Sequence, residues 1–188
     1  MISCCYTNAA RRGKGRVTGR RRVLAVQPGV HVYTGAHLMV GQLNPGRRRL
    51  SDHLNDPNTN FVELDQAVWY DLLSEEGPPV AAGHVTIRKE IIQVVVPQEP
   101  ADPHAPARVQ TQQVTLTLAY PLLTVSGAVF RRPGDPNTLM QLFAQQGRQF
   151  VPVGSAVVRF LPNNRFDATL PLVLVNARQI HYWWASQP

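Results

Sequence analysis

Apolar residues along this chain come in loose alternations and short runs divided by turn residues, which is the pattern of a strand-rich protein. In the first half, Val30 to Val40 alternates, Phe61 to Leu72 is rich in strand formers, and Val85 to Val96 ends in the run Ile91-Ile92-Gln93-Val94-Val95-Val96. In the second half, Val114 to Phe130, Phe150 to Phe160 and Leu170 to Trp184 play the same parts. Leu50 and Leu54 stand four apart, as do Leu139 and Phe143, which predicts a short helical turn in each half. The second turn extends over residues 137–146, with Asn137 or Thr138 as its N-cap. Asn44-Pro45-Gly46, Gly77-Pro78-Pro79, Pro133-Gly134-Asp135-Pro136 and Pro162-Asn163-Asn164 break the strands.

The two halves repeat one another. Leu50 laid over Leu139 places Leu54 on Phe143, Phe61 on Phe150, Val62 on Val151 and Ala67 on Ala156. The same offset of 89 brings Lys89 onto Arg178, Glu90 onto Gln179 and Ile91 onto Ile180 without a gap. Upstream, Thr34-Gly35-Ala36 matches Ser126-Gly127-Ala128 after a slip of three residues. Such self-similarity points to a duplicated supersecondary unit. The organisation expected is a disordered basic arm at 1–22, a first β module at 23–97, a Pro-rich linker at 98–110 and a second β module at 111–188.

Charge changes the picture once it is located. The net charge is +7, and Arg11, Arg12, Lys14, Arg16, Arg20, Arg21 and Arg22 account for all seven, with no acidic residue among the first 22. The remainder is neutral, so broad attraction to phosphate rests on the arm. Arg20-Arg21-Arg22 is its densest part. Two further clusters, Arg47-Arg48-Arg49 and Arg131-Arg132, each follow the early strands of a half and are candidate anion-binding or partner-binding patches. The alternative for all three is solvated loop or tail charge.

Catalytic signatures are not found. The six histidines lack ligand spacing, Cys4 and Cys5 are adjacent near the start, and no phosphate-binding glycine loop, nucleophile elbow or paired-carboxylate pattern occurs. No metal and no cofactor is therefore expected. No apolar run approaches the roughly 20 residues that span a bilayer, Met1 to Tyr6 does not read as a secretory leader, and a cytoplasmic location is the expectation. Near the end stands Tyr182-Trp183-Trp184. On a strand Trp183 and Trp184 face opposite ways, so one belongs to the core and the other is a candidate interface residue.

The first half resembles the Sm-like fold, a small, strongly bent five-stranded barrel. The resemblance rests on Thr34 to Leu43, on Asp52-His53-Leu54-Asn55, on Phe61 to Ala67 and on Val85 to Ile91. It implies that Asp52, Asn55 and Arg88 form the loop residues that hold a nucleobase. Lys89 stands where that family has glycine, and Gln141 and Ala177 replace Asp52 and Arg88 in the second half. The fold class expected is mainly β, as two tandem small barrels of Sm-like type. The function expected is a non-enzymatic binding or assembly module whose arm meets anionic partners. The alternative is binding of RNA or single-stranded DNA by the Sm-like modules themselves. Self-association or a protein partner follows from the first, nucleic acid from the second.

Overall fold

A computed structural model describes residues 29–46, 48–74, 77–98, 110–118, 123–131, 141, 148–162 and 167–185. The arm and nearly all of the Pro-rich linker lie outside these residues. So does the second helical turn, of which Gln141 alone is described, and it is helical.

The described chain is mainly β. Ten strands form one antiparallel sheet in the order β10-β6-β7-β8-β9-β5-β1-β2-β3-β4. The first five are β1 (Gly29–Thr34), β2 (His37–Leu43), β3 (Phe61–Asp71), β4 (Val80–Arg88) and β5 (Ile92–Pro97). The second five are β6 (Gln110–Leu118), β7 (Leu123–Arg131), β8 (Phe150–Phe160), β9 (Ala168–Asn176) and β10 (Ile180–Ala185). Helix α1 (Leu50–Leu54) lies between β2 and β3, and 3-10 turns at Lys89–Ile91 and Ala177–Gln179 lead into β5 and β10. The sheet is open: β5 meets β9 of the other half, and β4 and β10 are its two ends. Two separately closed barrels are not what these strands make, because β5 finds its second partner across the molecule.

Two of the three strand regions expected in each half contain more than one element. Val30 to Val40 folds back at Gly35-Ala36, where Thr34 Oγ1 bonds both the His37 carbonyl (3.2 Å) and the His37 amide (3.1 Å). The stretch from Val85 to Val96 turns a corner through Lys89–Ile91. Phe61–Asp71 and Phe150–Phe160 are each a single strand, as expected.

The long strands β3 and β8 bend at matching places. Gln66 and Ser155, 89 residues apart, are the non-glycine residues with positive φ among the described residues, at 51° and 47°. Each is the extra residue of a bulge, which skips the register of the neighbouring pairs and sharpens the local twist. Facing them are glycines on the preceding strand. A Cβ on Gly41 would stand 3.1 Å from the Asp65 carbonyl oxygen, and one on Gly127 would stand 2.7 Å from that of Gly154. The backbones therefore approach closest where only glycine fits. Gly127 thus corresponds in position to Gly41, within β2, and not to Gly35 in the turn.

Two hydrophobic cores form on opposite faces of the sheet where the halves meet. Val94 and Val96 of β5 enter one with Val173 and Val175 of β9, while Val95 and Leu174 enter the other. Alternate residues of a strand face opposite ways. Val94–Val96 and Val173–Val175 are therefore buried on both faces, which explains why these stretches are continuous apolar runs instead of alternations.

Candidate functional site

The molecule offers two kinds of strand edge, one closed and one open. At the joint between the halves, the backbone ladder of β5 and β9 is short, with Val94 opposite Val175 and Val95 opposite Leu174. Amide side chains extend it. Asn55, just past α1, donates to the Phe150 carbonyl (2.9 Å) and accepts from the Phe150 amide (2.8 Å), so its side chain pairs like a strand residue. Asn176 is fully buried and donates to the carbonyls of Lys89 (3.1 Å) and Ile92 (2.7 Å), while its oxygen accepts from the Arg178 amide. Gln149 donates to the Lys89 carbonyl, and Gln179 to that of Glu90. Every such bond spares a backbone group near the joint from going unpaired.

Behind this seam sits Lys89, only 3% exposed. Its ammonium donates to the carbonyls of His53 (3.2 Å) and Asp56 (3.1 Å) and to Thr59 Oγ1 (2.7 Å), tying the loop after α1 to the corner before β5. Desolvation pulls its pKa below the ordinary lysine value. In sequence, Lys89 stood out only as the residue in place of the glycine of the Sm-like family.

The two ends of the sheet are different surfaces. Among the described residues β10 pairs only with β6; after a register shift between Ile180 and Tyr182, Trp183 packs on the core with Ile180, whereas Tyr182 is 70% and Trp184 50% exposed. β4 pairs only with β3 and is exposed along most of its length, with Ile87 buried and Val85 partly so. Polar pairs dress this end: His84 Nδ1 lies 2.9 Å from Asp65, and Arg88 Nε 2.9 Å from Glu90. Beside it Phe61 is exposed at the rim of a hollow of about 610 Å³ that also takes in His53, Asn58, Glu63 and Asp65.

The residues singled out in sequence fall as follows. Arg20, Arg21, Arg22, Arg47 and Arg132 lie outside the described residues. Arg131 ends β7 opposite Gln110. Arg48 is exposed and paired with Asp56, whose carboxyl is held below the usual range by the Asn58 amide and by Arg48. Arg49 precedes α1, and its carbonyl accepts from the amides of Asp52 and His53. Of the three residues that the Sm-like resemblance ties to a nucleobase, Asp52 is in α1, Asn55 is engaged with Phe150, and Arg88 is paired with Glu90. Lys89 draws their two loops together, yet the Asn55 amide serves the joint. The roles of Asn55 and Asn176 had no motif to mark them, since both depend on a partner strand far away in sequence.

Among the described residues, no group of three or more His, Cys, Asp or Glu gathers in metal-binding proximity, and no helix is long and apolar enough to cross a membrane. Comparison of the chain with family models, with curated proteins and with solved structures finds no match.

Proposed function

We propose that this protein is a non-enzymatic binding and assembly module, built as two tandem Sm-like β repeats, that engages protein partners through the free edges of its sheet. The observation that carries the reading is the pair of end strands, β4 and β10, each paired along one edge only among the described residues, with Tyr182 and Trp184 standing in solvent on one of them. Unpaired strand edges present rows of N–H and C=O groups that a partner strand satisfies, and large exposed aromatics beside such a row add specificity. The repeat reading is supported by the bulges at Gln66 and Ser155, by the glycines that face them and by the matching 3-10 corners. In this account the basic arm, Arg20 to Arg22 included, tethers the module to anionic partners.

Nucleic-acid binding by the repeats themselves is the competing reading. It is weakened by the engagement of Asn55 and Arg88 and by Glu63 and Asp65 in the hollow beside Phe61. The test is fluorescence anisotropy with single-stranded RNA and DNA over a salt series, using the full chain and a chain starting at Val23. Binding confined to the full chain, falling steeply with salt, supports the arm as tether. Salt-resistant binding by the shorter chain replaces the assembly reading with nucleic-acid recognition by the sheet. Protein engagement is tested by selecting extended peptides from a random library against the full chain. The expected result is enriched peptides that no longer bind Trp184→Lys or Phe61→Lys; peptides indifferent to both substitutions would reject edge capture.

A further inference from the structure

The internal joint can be compared, residue by residue, with the two open ends. β4 and β9 begin at Val80 and Ala168, and β5 and β10 at Ile92 and Ile180, an offset of 88 in both cases. The inward residues agree with it: Ile92 and Val95 lie in one core, Ile180 and Trp183 against the other. Under that correspondence, Val94 and Val96, buried at the joint against the opposite half, become Tyr182 and Trp184, the two exposed aromatics of β10. On the other side of the joint, Phe150 of β8 is fully buried in the first half's core. Its counterpart, 89 residues earlier, is Phe61, exposed beside β4. Apolar side chains thus stand in solvent at both ends of the sheet, at the positions that the joint covers.

From this we infer that the two ends are the separated halves of a second joint: β10 of one copy of the chain adds antiparallel to β4 of the next. The inference rests on the assembly reading above and names its partner as a second copy. Transferring the register of β5 and β9 puts Tyr182 opposite Ile87 and Trp183 opposite Thr86 of the neighbouring copy. Tyr182 and Trp184 then cover Val85 and Ile87, while Phe61 enters the neighbour's second-half core as Phe150 enters the first. The contact is heterologous, since two different edges meet, so copies join head to tail and each joint leaves one edge of each kind free. The new joint is weaker than the internal one. Thr86 stands where the joint has Leu174, Arg88 stands where it has Asn176, and no linker holds the strands together.

The test is the mass of the full chain by sedimentation and light scattering from low to high micromolar concentration, in high salt so that the arm is screened. Species of two or more chains are expected to grow with concentration. Tyr182→Lys with Trp184→Lys blocks one edge, and Phe61→Lys blocks the other; each variant alone is expected to be monomeric, with association weakened at least tenfold. Mixed in equal amounts, they restore one joint and give a one-to-one dimer and nothing larger. That recovery also shows that both variants are folded. A monomeric wild-type chain across the range, undiminished association of either variant, or homodimers of a one-edge variant would each overturn the inference. If the wild-type chain is monomeric while selected peptides still bind its edges, the self-partner is wrong and edge capture stands. If neither occurs, both fail.

Discussion

β5 and β4 are both strands of the first half, and they meet opposite fates. Ile92–Pro97 is buried between β1 and β9, while Val80–Arg88 is exposed along most of its length and, among the described strands, has a neighbour on one side only. The same contrast separates β9 from β10, whose partner-facing positions change from Leu174 and Val175 to Tyr182 and Trp184. A strand in this sheet is thus defined as core or edge by the neighbour it finds, and its composition follows. Where a neighbour is guaranteed, short aliphatics and buried amides suffice. At the ends, polar pairs at Asp65–His84 and Arg88–Glu90 dress the β4 edge, and aromatics give β10 a larger surface to cover.

The sharpest way to break this comparison is to treat the paired phenylalanines alike. Phe150→Ala should cost about 3–5 kcal/mol, because its ring fills a core with no room to collapse. Phe61→Ala should stay within about 0.5 kcal/mol when unfolding is followed in urea at low protein concentration. Equal costs would mean that the two positions share one environment.

Next in size is the amide at the joint. Asn176→Ala removes, in a buried place, the side-chain donor to the Ile92 carbonyl, one of the two to the Lys89 carbonyl and the acceptor of the Arg178 amide, and a loss of about 2–3 kcal/mol is expected. Arg88→Ala, the matching change at the open end, removes only an exposed ion pair and should cost less than about 1 kcal/mol. The glycines sharpen the contrast between the two halves. Gly127→Ala drives a methyl to 2.7 Å from both the Gly154 carbonyl and Val153 Cγ1, a loss of about 2–3 kcal/mol. Gly41→Ala meets its nearest atoms at 3.1 Å and should cost about 1 kcal/mol, both read from thermal unfolding.

The smallest effect is the pH dependence. Burial lowers the pKa of His31 and, together with the nearby Lys89 charge, that of His53, each from the ordinary value of 6.5. The unfolded chain then binds protons more readily than the folded one, so stability is full above pH 6.5 and falls as pH drops through 6.5 toward the folded-state values. His31→Gln should flatten part of that slope in denaturant titrations at a series of pH values; a slope of opposite sign would contradict the burial argument.

Much of the strand content was legible, because Phe61–Asp71 and Phe150–Phe160 are rich in strand formers and have turn residues near their ends. The corners were less so. Thr34-Gly35-Ala36-His37 has no proline or asparagine to announce a hairpin, and Arg88-Lys89-Glu90-Ile91 carries neither glycine nor proline. The joint was hidden for a different reason: β5 and β9 are separated by the length of a whole half, and local pattern does not report such a pairing. One trace of it was present, since Val94 to Val96 and Leu172 to Val175 are unbroken runs of the kind that both-face burial produces. Asn55 shows the cost of reading a motif without its neighbours. Its spacing from Asp52 suggested a nucleobase loop, while its amide is paired with Phe150 across the joint. Trp183 and Trp184 were legible from strand geometry alone, because neighbours on a strand must point apart.

The most direct test of the account is amide hydrogen exchange on the full chain at low and at high protein concentration, read strand by strand. The account predicts slow exchange in β5 and β9 at both concentrations, and exchange in β4 and β10 that is fast when dilute and slows together on concentration. Edge strands that exchange equally fast at both concentrations, or that slow one without the other, would contradict it.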